Sequence, residues 1–395
     1  MKARKVKLGD LGDWGSGGTP LASRADYYGG EIPWLIIEDL NDGLVCKSAR
    51  TITKSGLENS SAKVVPAGTL LIAMYGSIGK LGLTNMACAT NQAIAFCKCD
   101  LTQVDTRFLF SALLHERAKF IHAGRGGTQQ NINQEFLKDY EIPLPDLSEQ
   151  RRIAGELERA DGLRRTRRYA LELADTFLPA AFLQIFGDPG TNPKQFPLEQ
   201  VETLFSETRD GVKCGPFGSA LKKHEYVNQG IPVWTVDCVG KNEFHESDCL
   251  YITPAKYEEL RAYSAENNDV LVSRAGTVGR MAIVQTKHPQ SIIHSNVIRL
   301  SLNPAKCLPV VFVTLMTHFA SRVGRLKRGQ EDAYSFMNTS TLGELQIPLP
   351  PPELQTRFAE LVARHERLRS VQRESLRQAE HLFQSLLHQA FNSEL

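Results

Sequence analysis

The sequence predicts an α+β fold: two similar domains joined by two long antiparallel coiled-coil helices, a pseudo-two-fold internal repeat. Three observations predict it. Ile142-Pro143-Leu144-Pro145 is matched by Ile347-Pro348-Leu349-Pro350. Each segment leads into a charge-rich stretch of heptad-like spacing that ends among aromatics, Phe177 to Phe186 and Phe383 to Phe391. Glycine and tryptophan motifs recur in the same order in both halves. Gly15-Ser16-Gly17-Gly18-Thr19-Pro20 resembles Gly215-Pro216-Phe217-Gly218-Ser219-Ala220, Ile32-Pro33-Trp34 resembles Ile231-Pro232-Val233-Trp234, and Gly76-Ser77-Ile78-Gly79-Lys80 resembles Gly276-Thr277-Val278-Gly279-Arg280. The offset grows from 200 (276 − 76) to 205 (347 − 142), which places extra residues in a loop such as Lys287-His288-Pro289-Gln290. A repeat of this length indicates duplicated domains, not a solenoid.

Leu70–Met74 and Val270–Ser273 are short apolar runs bounded by turn residues and read as strands. The Gly-x-x-Gly after each reads as a tight turn that needs positive φ. Leu81-Gly82-Leu83 and Met281–Val284 then complete hairpins. Val104 to His122 and Val310 to Leu326 carry helical periodicity and end at Gly124 and Gly329. Each domain is expected to hold a largely antiparallel, curved sheet with helices on one side.

The long helices follow. Ser148 is the expected N-cap of the first. Its stripe is Ile153, Leu157, Ala160, Leu163, Ala170, Leu173, Phe177 and Ala181; that of the second is Leu354, Phe358, Leu361, Leu368, Ala379, Leu382, Leu386 and Ala390. From 148 to 186 the first helix spans roughly 57 Å, and Pro179 is expected to kink it. A helix of that length with one apolar stripe needs a partner, and the other long helix, packed antiparallel, is the obvious one.

At 395 residues the chain has room for two ordinary domains. Its 42% hydrophobic content is that of a soluble globular protein, and no apolar run is long enough to cross a membrane. The basic N-terminus has no apolar region behind it, so it is not read as a signal peptide. The eight cysteines include no Cys-x-x-Cys pair; they fit a reducing compartment and speak against zinc. Cys97 and Cys99 are expected on one face of a strand. Net charge is +2, so nucleic-acid binding must rest on local patches.

A search for catalytic chemistry finds little. No phosphate-cradling Gly-x-x-x-x-Gly-Lys-Ser/Thr is present. The histidines are dispersed, and Asp146 with Glu149 is better read as a helix start than as a metal site. The loops are more informative. Arg125, Gly127, Thr128, Gln129, Gln130 and Asn131 form a segment whose Arg, Gln and Asn side chains can each make two hydrogen bonds to a base edge. Its counterpart before the second IPLP carries Arg325, Lys327 and Arg328. Lys80, Lys213, Lys222, Lys223, Arg274 and Arg280 stand at turns and suit phosphate contacts. The Arg164–Arg168 run reads as a solvated helix face or as a surface for a partner or DNA.

With these segments in view, the chain resembles, over its whole length, the specificity subunit of a type I restriction–modification system. The resemblance is carried by the IPLP segments running into Ser148-Glu149-Gln150-Arg151-Arg152-Ile153-Ala154 and Pro352-Glu353-Leu354-Gln355-Thr356-Arg357-Phe358, by Gly127-Thr128-Gln129-Gln130-Asn131-Ile132, and by the duplicated glycine and tryptophan motifs. The second half lacks the Gly-Thr-Gln-x-Asn pattern. The resemblance implies target-recognition domains at 1–146 and 191–350, and long helices at 147–190 and 351–395. It implies a non-catalytic reader of double-stranded DNA within a type I deoxyribonuclease and adenine-N6 methyltransferase complex. Two methylation subunits would dock on the chain, and restriction subunits through them. No cofactor would bind this chain; S-adenosylmethionine, ATP and magnesium would act through the partners. The setting would be a bacterial or archaeal cytoplasm, with no membrane. The alternative reading is a coiled-coil scaffold that does not bind DNA; a nuclease is a third.

Overall fold

The computed structural model describes residues 4–124, 131–217, 220–240, 242–274, 279–318 and 339–392. The chain divides into two compact units, Met1–Ala170 with Gln372–Leu395, and Leu171–Val371. Both cuts fall inside the long helices.

The first unit begins with β1 (Arg4–Lys7), β2 (Gly12–Ser16), β3 (Tyr28–Leu35), β4 (Gly43–Val45), β5 (Thr51–Ile52), a short helix α1 (Lys54–Glu58) and β6 (Val64–Val65). It continues with β7 (Leu70–Ala73), β8 (Leu81–Thr84), β9 (Cys88–Thr90), β10 (Ile94–Cys99), α2 (Thr106–Ala123), α3 (Gln134–Asp139) and β11 (Glu141–Leu144). The long helix α4 (Leu147–Phe186) follows. Two main sheets form where the sequence suggests one, in the orders β2-β10-β7-β8-β4 and β5-β3-β9-β6. Most pairs are antiparallel, but β3–β9 and β4–β8 are parallel.

The reason for the second sheet is visible in β7, whose four residues are all buried. Leu70 and Ile72 join Trp14, Phe108, Ile153 and Leu157 in a core under the helices. Leu71 and Ala73 point the other way, into a core with Leu35, Val65 and Cys88 under the second sheet. A strand covered on both faces reads as a continuous apolar run instead of an alternating one. Cys97 and Cys99 do share a face, with Sγ atoms 3.9 Å apart.

In the second unit the strands are β12 (Leu198–Gln200), β13 (Val212–Cys214), β14 (Ile231–Trp234), β15 (Leu250–Ile252), β16 (Val270–Ser273), β17 (Met281–Ile283), β18 (Ile292–Ile293), β19 (Val297–Leu300) and β20 (Gln346–Pro348). The helices are α5 (Pro254–Glu259), α6 (Pro309–His318), α7 (Thr339–Gly343) and the long α8 (Pro352–Asn392). The sheet orders are β13-β19-β16-β17 and β15-β14-β18, the same as in the first unit without β4 and β6. The IPLP segments play one part in both units: β11 pairs with β1, and β20 with β12. The stretch of the expected second-unit helix beyond His318 lies outside the described residues.

Helix α4 starts two residues earlier than a cap at Ser148 would place it. Asp146, not Ser148, caps it: its Oδ1 accepts from Glu149 N–H at 2.9 Å and from the Ser148 hydroxyl at 2.6 Å. A carboxylate suits the positive end of a helix, and Ser148 is already in the first turn. Pro179 sits within α4, which continues to Phe186.

The long helices run antiparallel in each unit, because later residues of α4 meet earlier residues of α8. In the first unit the Arg164 guanidinium lies 4.1 Å from the centre of the Phe383 ring, and Arg168 pairs with Glu380 at 2.8 Å. In the second, Arg369 pairs with Asp175 at 2.8 Å, and Phe182 and Phe186 pack on Phe358. The stripes are not buried evenly. Ile153, Leu157, Ala160, Ala181, Phe358 and Ala379 are buried, whereas Leu163, Leu173, Phe177, Leu368 and Leu382 are exposed. Burial is greatest toward both ends of each helix, where Ile153 and Leu157 join Phe383 and Leu387 in one core, and Phe182 and Phe186 join Phe358 in another.

Candidate nucleic-acid interface

In the first unit a chain of backbone contacts gathers four segments at one sheet edge. Gly17 N–H and Gly18 N–H donate to the carbonyls of Ile94 (3.3 Å) and Thr90 (2.9 Å). A Cβ on Gly17 would collide with the Thr90 carbonyl oxygen, so only glycine allows this approach. Trp34 Nε1 holds the loop from below, donating to Gly18 O at 3.0 Å. Thr19 meets Gln92 side chain to side chain. Met74 N–H donates to Ala93 O at 2.8 Å, and Ile132 N–H to Met74 O at 3.0 Å. Asn131 forms a bridge with Tyr75. The edge therefore carries the β2–β3 loop, the turn before β10, the start of the Gly-x-x-Gly hairpin and the exit of the Gln/Asn-rich loop.

The hairpin is held in place. Gly76 and Gly79 have φ of +64° and +75°, the region the turn demands. Arg117 on α2 donates Nε–H to Gly79 O at 2.8 Å and grips the Asp42 carboxylate with both terminal nitrogens. Arg165 on α4 donates to Asp42 O at 2.6 Å and to Asp161 at 2.6 Å. Asp42 itself has φ +57°.

The second unit repeats the plan with other side chains. Gly215 N–H donates to Val297 O at 3.1 Å, as Gly17 does to Ile94, and a Cβ there would strike His294 O. Arg274 N–H donates to Asn296 O at 2.9 Å. Phe217, 57% exposed, lies on the loop with the Arg274 guanidinium 4.7 Å from its ring centre. The tryptophans do not coincide. Ile32 and Ile231 pair with Ile52 and Ile252, so Val233 takes the place of Trp34, and Trp234 that of Leu35. One step along a strand reverses the face. Trp234 accordingly turns away from the loop and donates to Ser291 Oγ at 2.7 Å. Burial pushes the His294 imidazole below its usual pKa, against the pull of Asp237. Asn242 occupies the place of Asp42 with φ +62°, and Arg369 reaches the adjacent Glu243 at 3.0 Å.

The residues singled out from the sequence are dispersed. Lys80 Nζ donates to Ile37 O at 3.1 Å. Lys213 pairs with Asp210 at 2.8 Å. Lys222 and Lys223 stand together, exposed, at the start of the short turn over Lys223–Glu225, and Arg280 is exposed after its hairpin. Arg274 and Asn131 are at the edges just described. Arg125, Gly127, Thr128, Gln129, Gln130, Arg325, Lys327 and Arg328 lie outside the described residues. Sequence reasoning misses Gln92, Asn296 and Phe217. A signal exists for the first two: a polar pair precedes an apolar step in both halves, Asn91-Gln92 before Ala93-Ile94 and Ser295-Asn296 before Val297-Ile298.

Among the described residues no cluster of His, Cys, Asp and Glu could hold a metal, no helix is long and apolar enough to cross a membrane, and the cysteines are free thiols.

A duplicated α+β unit with glycine-tight loops, each unit including parts of the same two long helices, defines a protein built of two like domains on a shared pair of helices. A family model described as the type I restriction modification DNA specificity domain matches residues 2–172 and 217–380, and the chain belongs to that family. The specificity subunit of the MjaIX enzyme from Methanocaldococcus jannaschii is 28% identical over 188 residues, 46% of this chain and 43% of that one. The EcoR124I/EcoR124II specificity subunit of Escherichia coli is 28% identical over 163 residues, 40% of each chain. The chain thus spans less than half of these two relatives. The MjaVIII specificity subunit of Methanocaldococcus jannaschii is 22% identical over 389 residues, 95% of this chain and 88% of that one. The fold is shared with the S subunit of a type I system from M. genitalium, with TM-score 0.61 and 15% identity over 98% of this chain and 96% of that chain.

Proposed function

We propose that the chain is the non-catalytic specificity subunit of a type I restriction–modification enzyme, reading an asymmetric bipartite DNA site. The observation that supports this best is one strand order carrying two different edges: Thr19 and Gln92 in the first unit, Phe217 and Arg274 in the second. Amide, guanidinium and aromatic groups at a sheet edge suit base contacts in a groove, and exposed lysines such as Lys222 and Lys223 suit phosphates. Each unit would read one half-site, with the Arg125–Asn131 and Arg325–Arg328 segments contributing. The long helices run from one unit into the other and would set the length of unread DNA between the half-sites.

Two methylation subunits, and restriction subunits through them, would supply base flipping, methyl transfer and cleavage with S-adenosylmethionine, ATP and magnesium. Exposed apolar residues on the helices offer them a footing: Leu163, Tyr169 and Leu382 in the first unit, Leu173, Phe177, Leu368 and Val371 in the second. The test is selection of a bipartite duplex from a library by the full chain, followed by deletion of about one heptad from both helices. A shorter preferred spacer with unchanged half-sites is expected. Salt-independent binding, or none, would favour the scaffold reading; an unchanged spacer would remove the ruler.

A further inference from the structure

The first turn of each long helix holds one buried glutamine that ties it to its unit, and the two ties are the same. Gln150 is fully buried in the first turn of α4. Its Oε1 accepts from Asp105 N–H at 2.8 Å, and its Nε2 donates to Gln103 O at 3.1 Å and to Pro145 O at 2.9 Å. Gln355, 2% exposed, does the same in α8. Its Oε1 accepts from Leu308 N–H at 2.9 Å, and its Nε2 donates to Lys306 O at 3.0 Å and to Pro350 O at 2.8 Å. One amide thus joins three segments: the long helix, the end of the IPLP strand and the loop before α2 or α6.

The chemistry admits little else. Two carbonyls need two N–H donors, and one N–H needs an acceptor. Glutamine supplies this set from one side chain. Glutamate would set a lone pair against both carbonyls, and leucine would leave one N–H and two carbonyls at the joint without their side-chain partner. Asp105 and Asp146, next to the first joint, cap α2 and α4, so three element termini are locked at that point.

We infer that Gln150 and Gln355 are positioning residues for spacer discrimination, fixing the angle between each recognition unit and its helix. The inference rests on the bipartite reading proposed above. One base pair more or less moves a half-site by about 3.4 Å along the duplex and turns it by about 34°. A ruler that tells such neighbours apart needs stiff joints at its ends as well as a fixed length. Two identical joints, one at the base of each helix, supply that stiffness.

The test uses the full chain and a duplex library in which half-site bases and gap length both vary. Gln150→Leu and Gln355→Leu are expected to recover the wild-type bases in both half-sites, while preference for the native gap over gaps one base pair longer or shorter falls about tenfold, the scale of a buried hydrogen bond or two. Gln150→Asn and Gln355→Asn, whose shorter arm keeps the amide but not the reach, serve if the leucine variants do not fold, and should show a smaller loss of the same kind. Asn133 Oδ1 caps α3 by accepting from Phe136 N–H at 2.8 Å, away from the joint; Asn133→Ala removes that cap, controls for lost stability and should leave gap preference unchanged. Folded glutamine variants with wild-type gap preference would overturn the inference, as would equal broadening by Asn133→Ala. Wild type that selects no bipartite site at all would overturn the bipartite reading and this inference with it.

Discussion

The two units agree where they meet the long helices and differ where they face outward. Both build the same four-strand core order, seat IPLP against an N-terminal strand and close on a buried glutamine. Outward, Trp34 ties down its glycine loop while Trp234 bonds to Ser291, and Phe217 stands where the first unit has Thr19. Inside, the second unit buries Asp269 where the first has Thr69. It also buries Arg299 opposite Leu271, where the first unit sets Phe96 opposite Leu71. Duplication has kept the joints and let the edges and some core chemistry drift. That pattern is expected of one frame carrying two readers: a joint is constrained by the shared helices, and on the proposed function an edge would be constrained only by its own half-site.

The sharpest break of the comparison should come from the aromatic seat of α8. Phe358 is fully buried against Phe182 and Phe186, and its counterpart on α4 is Ile153. Phe358→Ala should cost about 3–5 kcal/mol, and Ile153→Ala toward the low end of about 2–5 kcal/mol, because the larger void leaves more neighbouring atoms without a partner. Hydrogen exchange resolved by peptide should show the first loss confined to the Leu171–Val371 unit and the second to the other. Equal loss in both units from either variant would mean that they do not unfold separately.

How much of this is legible in the sequence depends on whether the signal is local. The hairpin at Gly76–Gly79 and the long helices behind the IPLP segments follow from short-range rules, and the expected cap of the first helix lies two residues from the observed one. Its cap is ambiguous because Asp146 and Ser148 are both good caps, and only the register of the first turn separates them. The second sheet in each unit escapes sequence reasoning because β3 and β9, and β14 and β18, pair in parallel across more than fifty residues, with no hairpin to announce them. Four buried residues in β7 are the available clue. The glutamine joints are invisible for a different reason: a polar residue in a helix's first turn reads as surface until its burial is known. At the candidate interface the basic residues are found by type, but type does not tell a tethered ammonium such as Lys80 from an exposed one such as Lys222.

A second contrast concerns acid. Burial pushes the Asp269 carboxyl above its usual pKa, against the opposing pull of Ser301, the Glu266 N–H, Arg209 and Arg299. Its folded pKa therefore exceeds its unfolded one. The stability this group contributes is fully present below the unfolded carboxylate pKa and is lost as pH rises through the raised folded value. Thr69 has no proton to exchange. Asp269→Asn should remove this component from the pH profile of the second unit, measured by urea unfolding from acid to neutral pH, and leave the first unit's profile alone. An unaltered slope in the second unit would show that Asp269 exchanges no proton on unfolding.

The smallest expected effect separates two kinds of lysine. Lys80 spends its ammonium on Ile37 O inside the first unit, whereas Lys222 and Lys223 project from a turn of the second without a hydrogen bond from either ammonium to a described residue. Removing one phosphate contact lowers the slope of log affinity against log salt by about 0.9 for B-form DNA. Lys222→Ala with Lys223→Ala should thus reduce the slope by roughly two and weaken binding to all sequences alike, because phosphates carry no base identity. Lys80→Ala should leave the slope nearly unchanged and instead loosen the Gly76–Gly79 hairpin, seen as faster exchange of its amides. If Lys80→Ala changed the slope as much as the double variant, its tether to Ile37 would have to give way on DNA, and the first unit's edge would be more charged in the complex than it is in the free chain.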